Sequence, residues 1–248
     1  MYQVVGYHRP TSVGAALHLL ANGDRVALAG GVHVQHDGGA APSEVVDLQA
    51  LGLDTVRPDG TTVRLGAMVR LQTLADDASL PEPVRHTARA EQPSTLRSLA
   101  TVGGTINTAS GDSLLLAALL AHAAVVTLST ERSGERKLPL GDLLAEGRRD
   151  GELILDVAIE TAGTSAIGQT GRTPADVPIV GVVARRTGNQ GDPAATTVLA
   201  ACGIGAVPVL IDADALDTLK PIDDHRATAA YRRRLVEVQV ARVLEELS

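Results

Sequence analysis

Tryptophan and phenylalanine are absent from this chain, and tyrosine occurs three times among 248 residues. A site that must stack a planar ring therefore has only Tyr2, Tyr7, Tyr231 and the histidines to use. Cysteine occurs once, as Cys202 inside Val198-Leu199-Ala200-Ala201-Cys202-Gly203, which reads as a small buried thiol in a strand. One cysteine excludes an internal disulfide and an iron–sulfur cluster held by four thiolates. Basic charge is also scarce: 22 Lys and Arg against 29 Asp and Glu give a net charge of −7. That balance argues against a nucleic-acid surface, which needs a net basic face. The short runs Arg148-Arg149, Arg185-Arg186 and Arg232-Arg233-Arg234 are scattered and read as solvated. No apolar stretch approaches the roughly 20 residues of a membrane span. The opening residues Met1–Tyr7 show neither a basic n-region nor a long apolar segment, so the expected location is cytoplasmic.

What is present is an ordinary globular composition, 44% hydrophobic and 21% charged, in a chain long enough for more than one domain. Its centre is Ala100-Thr101-Val102-Gly103-Gly104-Thr105-Ile106-Asn107-Thr108-Ala109-Ser110, followed by the apolar segment Ser113–His122. Consecutive glycines let a backbone take positive φ and approach a neighbour closely. Their amides, with the hydroxyls of Thr101, Thr105 and Ser110, form either a simple turn before a buried helix or a cradle for an anion such as a diphosphate. A second unit of this kind lies upstream, where the strand Val26–Ala29 runs into Gly30-Gly31. The two units can face one ligand.

Around these units the pattern alternates between strand and helix. Residues 3–7 read as a strand, and Thr11 reads as the cap of a helix Ser12–Ala21 that buries Ala16, Leu17 and Leu20. Further strands are expected at Glu44–Leu48, Val63–Gly66, Val125–Leu128 and Leu153–Ile159. Helices are expected at Leu71–Asp76, at Val84–Ala90, after Ser113 and after Pro139. Residues 161–176, rich in Gly, Thr and Ser without periodicity, read as a loop or linker. Beyond them Ile179–Ala184, Thr196–Cys202 and Val207–Ile211 suggest a meander. Helices Ala213–Leu219 and Ala227–Leu247 close the chain, the last burying Val236, Val240, Val243 and Leu247.

Three familiar chemistries are a poor match. His33-Val34-Gln35-His36-Asp37 offers two imidazoles and a carboxylate, but flanking Gly-Gly pairs favour a loop and no further metal ligand is near in sequence. No G-x-S-x-G nucleophile motif is present. Neither Gly-Gly unit carries the lysine of a Walker A loop or the spacing of a Rossmann fingerprint. The expectation is no metal and no catalytic side chain of the chain's own.

Taken in register, the motifs resemble the flavin-binding medium subunit of the molybdenum hydroxylases, the carbon monoxide dehydrogenase and xanthine dehydrogenase family. Thr11–Gly31 is similar to the family's opening helix and first flavin loop, and Val63–Leu74 to its strand–helix unit. Leu96–Leu119 resembles the second flavin loop, while Gly151–Ile159 and Tyr231–Leu244 match later landmarks, so that coverage is nearly end to end. The resemblance implies an α+β chain: a two-subdomain FAD-binding fold of the PCMH type over residues 1–55 and 56–162, then an antiparallel sheet-plus-helix domain over 163–248. It implies that FAD is held by Ala29, Gly30, Gly31, Val32, His33, Val34, Ala100, Thr101, Gly103, Gly104, Thr105, Asn107, Ser110, Leu114 and Ile154, with the diphosphate between Ala29–His33 and Thr101–Thr105.

It further implies an electron-transfer role. Electrons would pass from iron–sulfur clusters on a small subunit, through flavin, to a quinone, a nicotinamide or oxygen. A large subunit would carry the molybdopterin, in a dimer of heterotrimers. The single cysteine agrees, since clusters must then reside elsewhere. Several family side chains are replaced. Val32-His33 stands where a polar pair is usual, Thr105 where Asn is, and Leu114 where an Asp anchors the cofactor. The family's aromatic and lysine near the flavin ring fall in Ala166–Gly171, which has neither. The alternative is a flavin-free scaffold subunit of the same kind of complex.

Overall fold

A computed structural model describes residues 4–21, 25–32, 43–147, 151–173, 176–188 and 194–248. His33, Val34 and the His-Val-Gln-His-Asp segment, like Arg148-Arg149, lie outside them.

The chain begins with strand β1 (Val4–His8), helix α1 (Val13–Ala21), and strands β2 (Arg25–Leu28) and β3 (Ser43–Asp47). These form a parallel sheet in the order β1-β3-β2. The α1 cap is Ser12 rather than Thr11: its hydroxyl oxygen accepts the Ala15 amide hydrogen at 3.2 Å, and its carbonyl accepts from Ala16. Ala16 and Leu17 are buried, whereas Leu20 stays half-exposed.

Next come the hairpin β4 (Val56–Asp59) and β5 (Thr62–Gly66), and helices α2 (Leu71–Asp76), α3 (Glu82–Glu91), α4 (Ser94–Arg97), α5 (Val102–Thr108) and α6 (Leu114–Ala121). The hairpin β6 (Val125–Thr130) and β7 (Gly134–Pro139), helix α7 (Leu140–Glu146) and strand β8 (Leu153–Glu160) complete an antiparallel sheet in the order β4-β5-β8-β6-β7. In its central strand the register slips opposite Thr127 and Leu128. The slip is a bulge at Leu155. Val157 and Ile159 face the main core, while Leu153 and Leu155 join Met68 and the apolar residues of α1 and β3. This bulge is how one strand serves two cores.

The third sheet is an antiparallel meander, β12-β11-β10-β9, of β9 (Thr164–Thr170), β10 (Val180–Thr187), β11 (Thr196–Cys202) and β12 (Val209–Ile211). The stretch expected to be a linker is thus partly strand β9, paired along its length with β10. A 3₁₀ turn, Ala213–Thr218, leads to helix α8 (Ala229–Glu246), which Thr228 caps by accepting the Tyr231 amide hydrogen. Alternation on β10 sends Val180, Val182 and Ala184 to α8, and Val183 to the core around α6. Helix α6 (LLLAALLA) is apolar on every side and all eight of its residues are buried. It is covered by α3 and α7 and by the third sheet.

Two arginines of the runs read as solvated are buried instead. Arg232, 0% exposed, donates from Nη1 to the carbonyls of Ile179 and Gly203 and from Nη2 to Asp224 at 2.7 Å. That ion pair drives the Asp224 carboxyl down to about 2. Arg185, on β10, is buried too, with Nη1 on the carbonyl of Ala162. Beside it His122 is buried, its ring nitrogen donating to the Glu160 carbonyl at 2.7 Å, and burial holds the imidazole down to about 4.

Candidate functional site

Between the first and second sheets lies a cleft of about 830 Å³. That is within the roughly 300–1,000 Å³ of small-molecule and cofactor pockets. Among the described residues it is lined by the end of α1, β2 and the residues after it, Leu48, Ala67 and Met68, the start of α5, the β6–β7 turn, and the entry to β8. Of the residues singled out from sequence, Ala29, Gly30, Gly31, Val32, Ala100, Thr101, Gly103, Gly104, Thr105, Asn107 and Ile154 line it. His33 and Val34 fall outside the described residues. Ser110 and Leu114 do not line the cleft. Leu114 is a core side chain, seated where β10 has a glycine: a Cβ at Gly181 would stand 2.4 Å from its Cδ1.

The glycines divide into two kinds. At Gly30 a Cβ would come within 1.8 Å of the Leu99 carbonyl oxygen, and at Gly103 within 2.8 Å of the Ala67 Cβ. Both are bare because protein backbone presses on them, so a valine at either position would disturb the fold itself. Gly31 and Gly104 are different. Gly31 has φ of +74°, and a Cβ there would meet only Leu28, at 3.6 Å; one at Gly104 would meet only the Thr101 hydroxyl, at 3.0 Å. These two leave open floor that a side chain would fill.

A second correction concerns the Gly103-Gly104 amides. The pair does not form a left-handed turn but lies in the first turn of α5. Glycine is a poor helix former, and here tertiary packing overrides that preference. The amides of that turn are already taken by protein acceptors. Val102 donates to the Val69 carbonyl (3.0 Å), Gly103 to Ala67 (2.8 Å) and Thr105 to Thr101 (3.0 Å). Gly104 donates to the Thr101 hydroxyl oxygen at 3.1 Å. An anion therefore meets little from this turn except the Thr101 hydroxyl hydrogen, since the Thr105 and Thr108 hydroxyls donate to the carbonyls of Thr101 and Gly104. The first loop, with Gly31 at φ +74°, is the other backbone segment facing the cleft.

Sequence reading missed the β6–β7 turn, Thr130-Glu131-Arg132-Ser133, together with Met68, Arg25 and Glu152. The turn enters the cleft because β6 pairs with β8, a neighbour distant in sequence, and no local signal announces it. Charges here are mostly spoken for. Arg25 donates from Nε to Glu44 at 2.6 Å, and with His8 it holds that carboxyl below its usual range. Glu131 meets His18 of α1 at 2.6 Å. Glu152 accepts from Arg136 at 2.6 and 3.1 Å. Among the described residues no cluster of His, Cys, Asp and Glu could hold a metal ion, and no helix is long and apolar enough to cross a membrane. Among the described residues no aromatic side chain and no lysine lines the cleft. A planar ring in this cleft would rest against aliphatic groups such as Leu48, Met68 and Leu153.

Residues 2–160 match the family described as the FAD-binding domain in molybdopterin dehydrogenase. The uncharacterised protein YgfM of Escherichia coli (strain K12) is 29% identical over 248 residues, covering 95% of this chain and 93% of its own. The fold is shared with a chain of carbon monoxide dehydrogenase from Hydrogenophaga pseudoflava, at 21% identity and a TM-score of 0.88 over 100% of this chain and 98% of that one. It is shared with a chain of quinoline 2-oxidoreductase from Pseudomonas putida 86, at 18% identity and a TM-score of 0.86 over the same shares. A chain of carbon monoxide dehydrogenase from Oligotropha carboxidovorans matches at 23% identity and a TM-score of 0.86, again over 100% and 98%.

Proposed function

The chain belongs to the family of FAD-binding domains of molybdopterin dehydrogenases, and from that premise we propose that it is the FAD-binding electron-transfer subunit of a molybdenum hydroxylase complex. The observation that carries the reading is the cleft itself. Both glycine units of the matched region open onto one cavity of cofactor size, and Gly31 and Gly104 leave its floor free of side chains. The bound flavin supplies the electron-accepting and electron-donating chemistry. The chain's own residues bind and orient. The amides around Gly31 and the Thr101 hydroxyl offer hydrogen bonds to a diphosphate. Leu48, Met68, Leu153 and Ile154 give the remainder of the cofactor an apolar bed and keep water from it.

On this reading the complex also holds a small subunit with iron–sulfur clusters and a large subunit with molybdopterin, assembled as a dimer of heterotrimers in the cytoplasm. The single cysteine supports that division, because this chain has no thiolates to offer a cluster. Alone it oxidises no hydroxylase substrate. The chain falls into three units, residues 1–55, 56–162 and 163–248, the last bearing the meander and α8.

The test is direct. The complex isolated from its native source is expected to be yellow and to contain a cysteine-rich small subunit and a large molybdenum subunit. The full chain titrated with FAD is expected to quench flavin fluorescence saturably. A colourless intact complex, with no binding at high micromolar FAD, would refute the reading in favour of a flavin-free scaffold.

A further inference from the structure

Four charged side chains among the described residues line the cleft: Arg25, Glu131, Arg132 and Glu152. Three have counter-ions of their own, namely Glu44, His18 and Arg136. Arg132 has none. Its turn is nevertheless braced. The Thr130 and Ser133 hydroxyls lie 2.6 Å apart, the Ser133 amide donates to Thr130 at 2.9 Å, and Glu131 ties the turn to α1. The uncompensated charge is therefore carried on an ordered hairpin tip, and the α5 amides that might have neutralised an anion are occupied.

We propose that Arg132 is the phosphate-pairing residue of this cleft, supplying to the diphosphate of a bound dinucleotide a positive charge that no other described lining side chain has free. The inference rests on the FAD reading above and names a residue outside both glycine units. A guanidinium suits the task because its planar fork meets two phosphate oxygens at once. Its exposure keeps the gain modest, since solvent and salt screen it.

The experiment titrates the full chain with FAD and with riboflavin, which has the same ring and no phosphate, at low and high salt. Wild type, Arg132→Gln and Arg132→Lys are compared. Arg132→Gln is expected to weaken FAD binding about five- to tenfold at low salt, as a partly screened charge-assisted contact does, and to lose most of the salt dependence. Riboflavin binding and the melting temperature without ligand should not change, and Arg132→Lys, which keeps the charge but not the fork, should recover the salt dependence and only part of the FAD affinity. Wild-type FAD affinity and salt dependence in Arg132→Gln would overturn the inference while leaving the FAD reading intact. Equal weakening toward riboflavin would overturn it by showing a structural role. A wild type that binds no FAD would overturn both.

Discussion

The two kinds of glycine at the cleft predict opposite behaviour on adding a single methyl group. In Gly30→Ala the new Cβ begins 1.8 Å from the Leu99 carbonyl oxygen, 2.6 Å from its carbon and 3.3 Å from the Ala100 nitrogen. Ordinary contact requires about 3.4 Å, so backbone must retreat by about 1.5 Å. The obstacle is main chain, and no rotamer change relieves it. Arg70 and Leu71 hold that main chain in place, through the carbonyls of Leu99 and Ala100. Overpacking of this kind costs about 3 kcal/mol. At about 2–4 °C per kcal/mol for a chain of this size, Gly30→Ala should melt about 6–12 °C below wild type without any ligand.

In Gly104→Ala the Cβ meets only the Thr101 hydroxyl. Helix propensity gains about 0.5–1 kcal/mol, offset by disturbing the cap. The ligand-free melt should therefore stay within about 3 °C of wild type. The cost appears on adding cofactor. FAD at 100 times its dissociation constant stabilises wild type by about 2.7 kcal/mol, a rise of about 5–11 °C, and Gly104→Ala should lose most of it. Differential scanning fluorimetry with and without FAD reads all four values. A Gly30→Ala protein that melts with wild type would refute the close backbone approach. A full FAD-induced rise in Gly104→Ala would refute the first turn of α5 as a wall of the site.

The remaining expectations concern pH, the third sheet and cofactor retention. His122 titrates at about 4 in the fold and near 6.5 when unfolded, so the unfolded state takes up the extra proton between those values. Stability should therefore fall as pH drops from 6.5 to 4, by roughly 3 kcal/mol in all. His122→Leu should flatten that limb in denaturant melts at stepped pH, and parallel curves would exclude the assignment. Arg232→Met removes the guanidinium donor from the Asp224 Oδ2 and from two buried carbonyls, and is expected to cost about 3–5 kcal/mol in urea unfolding. The Asp224 carboxyl, lowered chiefly by Arg232, stabilises above its ordinary value of 3.8, and this is lost as pH falls toward 2. Asp224→Asn should thus differ from wild type above pH 4 and converge with it below pH 2. Finally, with few α5 amides free, FAD should remain in the intact complex through gel filtration but wash out of the isolated chain, as absorbance at the flavin band will report.

Strands and helices with a strong apolar pattern were legible in the sequence almost to the residue, as at β8 and α2. The strands it missed, β4, β7 and β9, share one property: each is at the edge of its sheet. An edge strand needs less burial, and charge or proline protects its open side. VRPD and GERKLP therefore look like loop, and TSAIGQT offers small polar residues with no alternation. Both loops of the candidate site were found because they are contiguous in sequence. The Thr130–Ser133 turn was not, because only the β6–β8 pairing brings it there. The burial of Arg232 was equally invisible, since two of its partners are carbonyls far away in sequence, just before β10 and just after β11.

Helix α6 has a consequence for how the protein is made. Its eight apolar residues find part of their covering in β10 and β11, and the last of those residues, Cys202, follows Ala121 by 81 positions. At a synthesis rate of roughly 5–20 residues per second, the newly made helix waits about 4–16 s for that cover to emerge. Throughout that interval it is an oily segment with no face to turn toward water. A nascent chain stalled or truncated near residue 160 would carry the whole dinucleotide cleft and still be a client for holdase chaperones. The integrity of the site thus depends on completing a sheet none of whose described residues lines it.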